Sequence, residues 1–177
     1  CIQLLFQQPR ASPQTFLAGM APMLLGSPMP VAAVVEKVPN FTGDWLLERS
    51  ENSEAFARAI GYSPLIARTV SSAQARQVIE HDGDELRCRF ETVPPMAPAR
   101  FVVFHVGEDE VRGSDDIGRE TLLVKPTWRG QALAAGLRYP KSSHTLRIER
   151  YMEDGRMVEH LRYPSKGVEM RRIFAKA

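Results

Sequence analysis

Two Asp-Gly pairs, Asp82-Gly83 and Asp154-Gly155, each flanked by residues that alternate in polarity, constrain this chain more than any other feature. Glycine there accepts the positive φ of a tight hairpin, so each pair predicts two adjacent antiparallel strands. Residues 76–80, 85–91, 100–106, 119–125, 131–137, 145–152, 157–163 and 168–175 read as strands separated by turn residues. A first strand at 41–48 (FTGDWLLE) brings the count to about nine or ten, spaced as in a meander. The expected class is all-β, an antiparallel up-and-down barrel, because closure removes the edges that an open sheet would expose.

Only one stretch breaks this pattern. Asn52 or Ser53 is placed to accept a hydrogen bond from a free amide of a helical first turn, Glu54 sits at its positive end, and Phe56 and Ile60 share a face before Gly61. Ser63 then serves as a second N-cap, Pro64 suits the first helical position, and Leu65, Ile66, Thr69 and Val70 form an apolar side. A helix-turn-helix between the first two strands follows.

Composition bounds the partners. A chain of 177 residues supports one domain with a real core, and its 25% charged residues and formal charge of +2 argue against nucleic acid as the main partner. With only two cysteines, Cys1 and Cys88, no disulfide framework is expected, and a reducing, cytoplasmic setting is the simpler expectation. Residues 1–38 differ from the rest: Arg10 is the only charge before Glu36, and Pro9, Pro13, Pro22, Pro28 and Pro30 interrupt every apolar run. This segment is expected to be a disordered or non-native extension, and 39–177 the barrel domain. The run 16–25 has the apolarity of a signal-peptide centre but contains Pro22 and lacks a preceding basic cluster. No uninterrupted apolar stretch approaches the roughly 20 residues that a bilayer requires.

Strand alternation sorts the side chains, since residues two apart share a face. Leu86, Cys88 and Phe90 lie on one side of their strand and Arg87 and Arg89 on the other, so the first set faces inward. By the same rule Arg150 accompanies Leu146 and Ile148, and Arg172 accompanies Val168, Met170 and Phe174. An inward guanidinium cannot shed its proton and needs an anionic or strongly polar partner. A ligand carboxylate held by two parallel hydrogen bonds is one such partner. A bulge turning an arginine outward, or a place at the barrel rim, is the competing explanation.

These residues carry a resemblance to the intracellular lipid-binding proteins, the group of fatty-acid-binding and cellular retinoid-binding proteins in the calycin superfamily. It covers roughly 39–177: FTGDW at 41–45 is similar to the family's first strand, and SENSEAFARAIG at 50–61 and SPLIARTV at 63–70 to its two lid helices. HDGDELRCRFET at 81–92 resembles the next hairpin, and DGRMVEHLRY followed by KGVEMRRIFAKA the last two strands. The resemblance implies a ten-stranded barrel whose helix pair covers a portal, and a head-group site of two arginines and a tyrosine that falls on Arg150, Arg172 and Phe174. Phenylalanine at 174 removes one hydroxyl. Glu159 shares a face with Met157 and Leu161, where the family usually carries an apolar residue; it could neutralise an arginine and shift preference toward a neutral or hydroxylated ligand.

The implied function is binding and transport of a long-chain fatty acid or similar hydrophobic ligand. Its tail would lie against Leu86, Cys88, Phe90, Leu146, Ile148 and Met170, its head near Arg150 and Arg172, with Leu65 and Ile66 guarding the portal. No cofactor or metal is expected, and the chain is expected to act as a monomer with transient membrane contact. Arg162, Lys166, Arg171 and Lys176 offer the charge for that contact, although such a scatter also suits a solvated face. Residues 125–141, with Pro126, Trp128 and Pro140, are expected to form an enlarged loop.

Two other classes compete. A secreted lipocalin-like carrier shares the barrel and the Gly-x-Trp, but lacks here a disulfide pair and a convincing signal. An enzyme acting on a lipid-like substrate in the same barrel needs a catalytic group. None of His81, His105, His144 and His160 sits at metal-ligand spacing, and Ser114-Asp115-Asp116 reads as a solvated turn.

Overall fold

A computed structural model describes residues 38–93, 98–142 and 144–177. The extension and its signal-like run, up to position 37, lie outside the described residues. Ten strands follow one another: β1 (Gly43–Glu51), β2 (Gln74–Asp82), β3 (Glu85–Val93), β4 (Arg100–His105), β5 (Glu110–Ser114), β6 (Glu120–Arg129), β7 (Ala132–Arg138), β8 (Thr145–Glu153), β9 (Arg156–Tyr163) and β10 (Val168–Lys176). Two helices, α1 (Ser53–Ala59) and α2 (Pro64–Ser72), connect β1 to β2.

The strands form one antiparallel sheet in the order β4-β3-β2-β1-β10-β9-β8-β7-β6-β5. From β1 to β4 and from β5 to β10 each strand pairs with its neighbour in sequence, and β1 pairs with β10, so a nearly closed meander barrel results. Only β4 and β5 share no ladder. Arg100 spans this gap, donating to the Ser114 carbonyl at 2.6 Å and to Asp116 Oδ1 at 2.5 Å.

The hairpin signals give two different turns. Gly83 alone takes positive φ (58°) in the first, whereas Asp154 (49°) and Gly155 (75°) both do so in the second. The second turn sets the register of β8 against β9 and so decides which side chains meet there.

Several expectations need correction. Asn52 takes φ 60° before α1 and its side chain caps nothing; Nδ2 instead donates to the Glu169 carbonyl at 2.7 Å, tying the helix start to β10. Ser63 does cap α2, accepting from the Ile66 amide at 3.4 Å. β5 escaped the sequence pattern because it is only five residues long and carries Arg112, Gly113 and Ser114. Residues 125–141 are not a loop: β6 continues to Arg129 through a bulge where the register shifts between Val124 and Thr127. Lys125 takes φ 47° there, and Pro126, which has no N–H for a ladder, accepts from the Gly107 amide at 2.7 Å.

The interior divides into two apolar clusters. One fills an end of the barrel around Phe41, Trp45, Ile79, Leu86, Met157 and Phe174. Trp45 is fully buried and its indole donates to the Phe41 carbonyl at 2.9 Å. His81 belongs to this end, its ring stacked on Phe41. Its Nδ1 accepts from the Phe41 amide at 3.2 Å while Nε2 meets the Gly83 carbonyl at 3.0 Å, so the ring proton sits on Nε2. The other cluster lies against the helices and includes Phe56, Ile60, Ala67, Leu146 and Leu161. Among the described residues no helix is long and apolar enough to cross a membrane.

Candidate functional site

Three charged side chains form one cross-strand row inside the barrel. The pairing registers set Arg150 of β8 opposite Glu159 of β9, and Glu159 opposite Arg172 of β10. Arg150 Nη2 donates to Glu159 Oε1 at 2.6 Å, and Arg172 Nη2 donates to Glu159 Oε2 at 2.6 Å. Each carboxylate oxygen thus has its own guanidinium. Arg150 also meets Gln77 Oε1 at 3.2 Å and Cys88 Sγ at 3.7 Å.

Burial dominates the electrostatics of this row. Glu159 is 1% and Arg150 6% exposed. Desolvation pushes the Glu159 carboxyl upward, but Arg172 and then Arg150 outweigh it and hold the group at about 2. Desolvation likewise opposes the Arg150 charge, and Glu159 overcomes it, so that guanidinium is held more firmly protonated than usual. Burial also raises the Cys88 thiol, in keeping with an inert, apolar setting. Two buried donors of the row, Arg150 Nε and Arg172 Nε, have no hydrogen-bond acceptor.

The row continues toward the β4–β5 gap. Arg172 Nη1 lies 3.9 Å from Asp116 Oδ2, and Arg100 binds the other oxygen of Asp116 while its guanidinium lies 5.4 Å from the Phe90 ring centre. Asp115 faces the helices instead. Tyr62 Oη donates to Asp115 Oδ2 at 2.8 Å, Arg119 Nε donates to the same oxygen at 2.6 Å, and Arg119 Nη1 reaches the Ile60 carbonyl at 3.1 Å. The Arg119 guanidinium lies over Tyr62 and Tyr139, 4.2 and 4.7 Å from their ring centres. Burial and the neighbouring Asp115 raise both phenols above their ordinary value. Asp115 and Asp116 are therefore structural ion-pair partners and not a solvated turn.

A cavity of about 210 Å³ lies between this polar system and the helices. Of the residues expected to contact a ligand, Phe90, Leu146, Ile148, Met170, Arg150, Arg172 and Glu159 line it. Leu86, Cys88 and Phe174 do not; they face inward but pack in the filled end of the barrel. The ring of Phe174 centres 5.8 Å from the Arg172 guanidinium, so it meets that charge with a π face where a hydroxyl was expected from the family pattern. Leu65 and Ile66 are 76% and 37% exposed and line nothing. The helices present Phe56, Ile60, Val70 and Ser71 to the cavity instead.

Sequence reasoning missed Gln77, Arg100 and Asp116. The first two were within reach of alternation: Gln77 shares a face with Ile79, and Arg100 with Val102 and Phe104. Asp116 lies in a loop, where no period applies.

No family model matches the chain. Among curated proteins, cellular retinoic acid-binding protein 1 of Takifugu rubripes is 26% identical over 96 residues, covering 53% of this chain and 66% of that protein. The Bos taurus protein of the same name matches equally, so the chain spans just under two thirds of the length of these relatives. Among solved structures, a REP1-NXSQ fatty acid transporter superposes with a TM-score of 0.66 at 24% identity, over 77% of this chain and 95% of that one. Echinococcus granulosus fatty-acid-binding protein 1 does so at 0.66 and 17%, over 77% and 97%. The chain is thus similar in sequence and in fold to the intracellular lipid-binding proteins of the calycin superfamily. The ten strands and the helix pair between the first two match the fold of the fatty-acid-binding proteins. Glu159 is seated between the two arginines that the resemblance picked out.

Proposed function

We propose that this protein reversibly binds and carries a long-chain fatty acid or a similar elongated hydrophobic molecule in the barrel cavity. The apolar part of the ligand lies along Phe90, Leu146, Ile148 and Met170, and its head lies near Arg150 and Arg172. The carrying observation is a cavity with aliphatic and aromatic walls whose one end is lined by Arg150 and Arg172. The relatives support this reading, since their names describe a retinoic acid-binding protein, a fatty acid transporter and a fatty-acid-binding protein. Carriage without turnover fits a site in which Arg150, Glu159 and Arg172 are engaged with one another in ion pairs. We place the protein inside the cell as a monomer, in a reducing compartment that suits the free, buried Cys88.

Titration with a fluorescent fatty acid tests the reading. One-to-one saturation, reversed by unlabelled lipid that is recovered chemically unchanged, is the expected result. Absence of saturable binding by any apolar probe, or recovery of a converted lipid, overturns it.

A further inference from the structure

Resting on the binding role just proposed, we infer that the head-group end of the cavity prefers an uncharged oxygen acceptor, such as an ester carbonyl or an alcohol, to a free carboxylate. The chain supplies its own carboxylate there. Glu159 occupies the position between Arg150 and Arg172, taking one short charge-assisted bond from each, 2.6 Å in both cases. A ligand carboxylate arriving at the same end would replace neither bond, and it would come to rest beside an ionised acid.

The charges beyond the row extend this balance. Arg172 has a second acid, Asp116, at 3.9 Å, so the inner four groups comprise two guanidiniums and two carboxylates. The remaining cation, Arg100, is bound to Asp116 and to the Ser114 carbonyl at the β4–β5 gap, with 22% of its side chain exposed to screening solvent. What the row still offers is hydrogen-bond donation. Arg172 lines the cavity with 18% of its side chain exposed, and its Nη1, 3.9 Å from Asp116, lies outside hydrogen-bond range of that acid and is free to donate to a ligand oxygen. An ester carbonyl or hydroxyl accepts that bond without a second negative charge beside Glu159.

The test compares oleate, methyl oleate and oleyl alcohol, each delivered from cyclodextrin at pH 7, as competitors of Nile red bound to the full chain. Methyl oleate and oleyl alcohol should displace the dye with affinities about tenfold above that of oleate. In Glu159→Gln the order should reverse, because the two guanidiniums then lack their acid and take the ligand's. Oleate binding more tightly than both neutral lipids to the unaltered protein overturns the inference and leaves the carrier reading standing. Failure of all three to displace the dye overturns both. The comparison on the unaltered protein decides the matter whether or not Glu159→Gln folds.

Discussion

Glu159 and Arg172 sit directly opposite each other on β9 and β10, joined by a 2.6 Å bond between Oε2 and Nη2 in the barrel interior. With Arg150 on the far side, the acid is one rung of a three-strand ladder of charge. Ionised groups removed from water are tolerable only when paired, and here the pairing comes from register rather than from flexible side chains finding each other.

Removing the acid should therefore be costly. Glu159→Gln is expected to destabilise the protein by about 3–5 kcal/mol, since two buried guanidiniums lose their counterion. Replacing all three by apolar residues (Arg150→Met, Glu159→Leu, Arg172→Met) should be roughly neutral by comparison. Urea unfolding of the two variants decides this. A single variant as stable as the triple would show that the row contributes nothing.

Acid stability follows from the same group. The Glu159 carboxyl is held at about 2 in the fold against 4.5 ordinarily, so the unfolded chain takes up that proton first. Its contribution is complete above about 4.5 and is lost as pH falls through about 2. Unfolding followed across that window should be steeper for the native protein than for Glu159→Gln, and parallel profiles would contradict the assignment.

Arg171 and Arg172 are adjacent but point in opposite directions. Arg171 reaches Glu153 at 2.9 Å on the solvent side, while Arg172 lines the cavity. Arg172→Gln should change affinity for a bound lipid by about tenfold or more, and Arg171→Gln by less than about twofold, as judged by fluorescence titration. Equal effects would mean that the inward face has been misassigned.

The helix pair is fastened to the β5–β6 turn through Tyr62 and Asp115. Tyr62→Phe removes a hydrogen bond to a carboxylate, worth about 1.5–3 kcal/mol, at the point where the lid meets the barrel. Stopped-flow measurements should show faster ligand uptake and release, with the equilibrium constant moving less than either rate. Unchanged rates would show that this fastening does not limit exchange.

On α2, Leu65 is 76% exposed and Ala67 is fully buried. Leu65→Ser should leave stability within about 0.5 kcal/mol, whereas Ala67→Leu should cost about 1–3 kcal/mol through overpacking. Thermal unfolding of the two variants checks the rotation of the helix.

The arginines illustrate how much was legible beforehand. Both inward assignments came from alternation alone, because the pleat of a strand is a local property with a fixed period of two. Alternation applied to Gln77 and Arg100 identifies two more polar groups of the interior. Alternation does not extend to α2, where the apolar side read through Leu65 and Ile66 is exposed and Ala67, too small to draw notice, is the residue that packs. It also said nothing about residues 125–141, where a bulge keeps Pro126 within a strand.

Sequence by itself thus determined the helix pair, most of the strands, the two tight turns and the side of the sheet on which the residues of those strands fall. Tertiary structure alone decided how far along the barrel each inward residue sits. Leu86, Cys88 and Phe174 share the inward face with Phe90 and Met170, yet they fill one end while the latter line the cavity. It also decided that Arg150 and Arg172 share Glu159, because cross-strand partnership depends on registers set by separate turns, and no local pattern carries that sum.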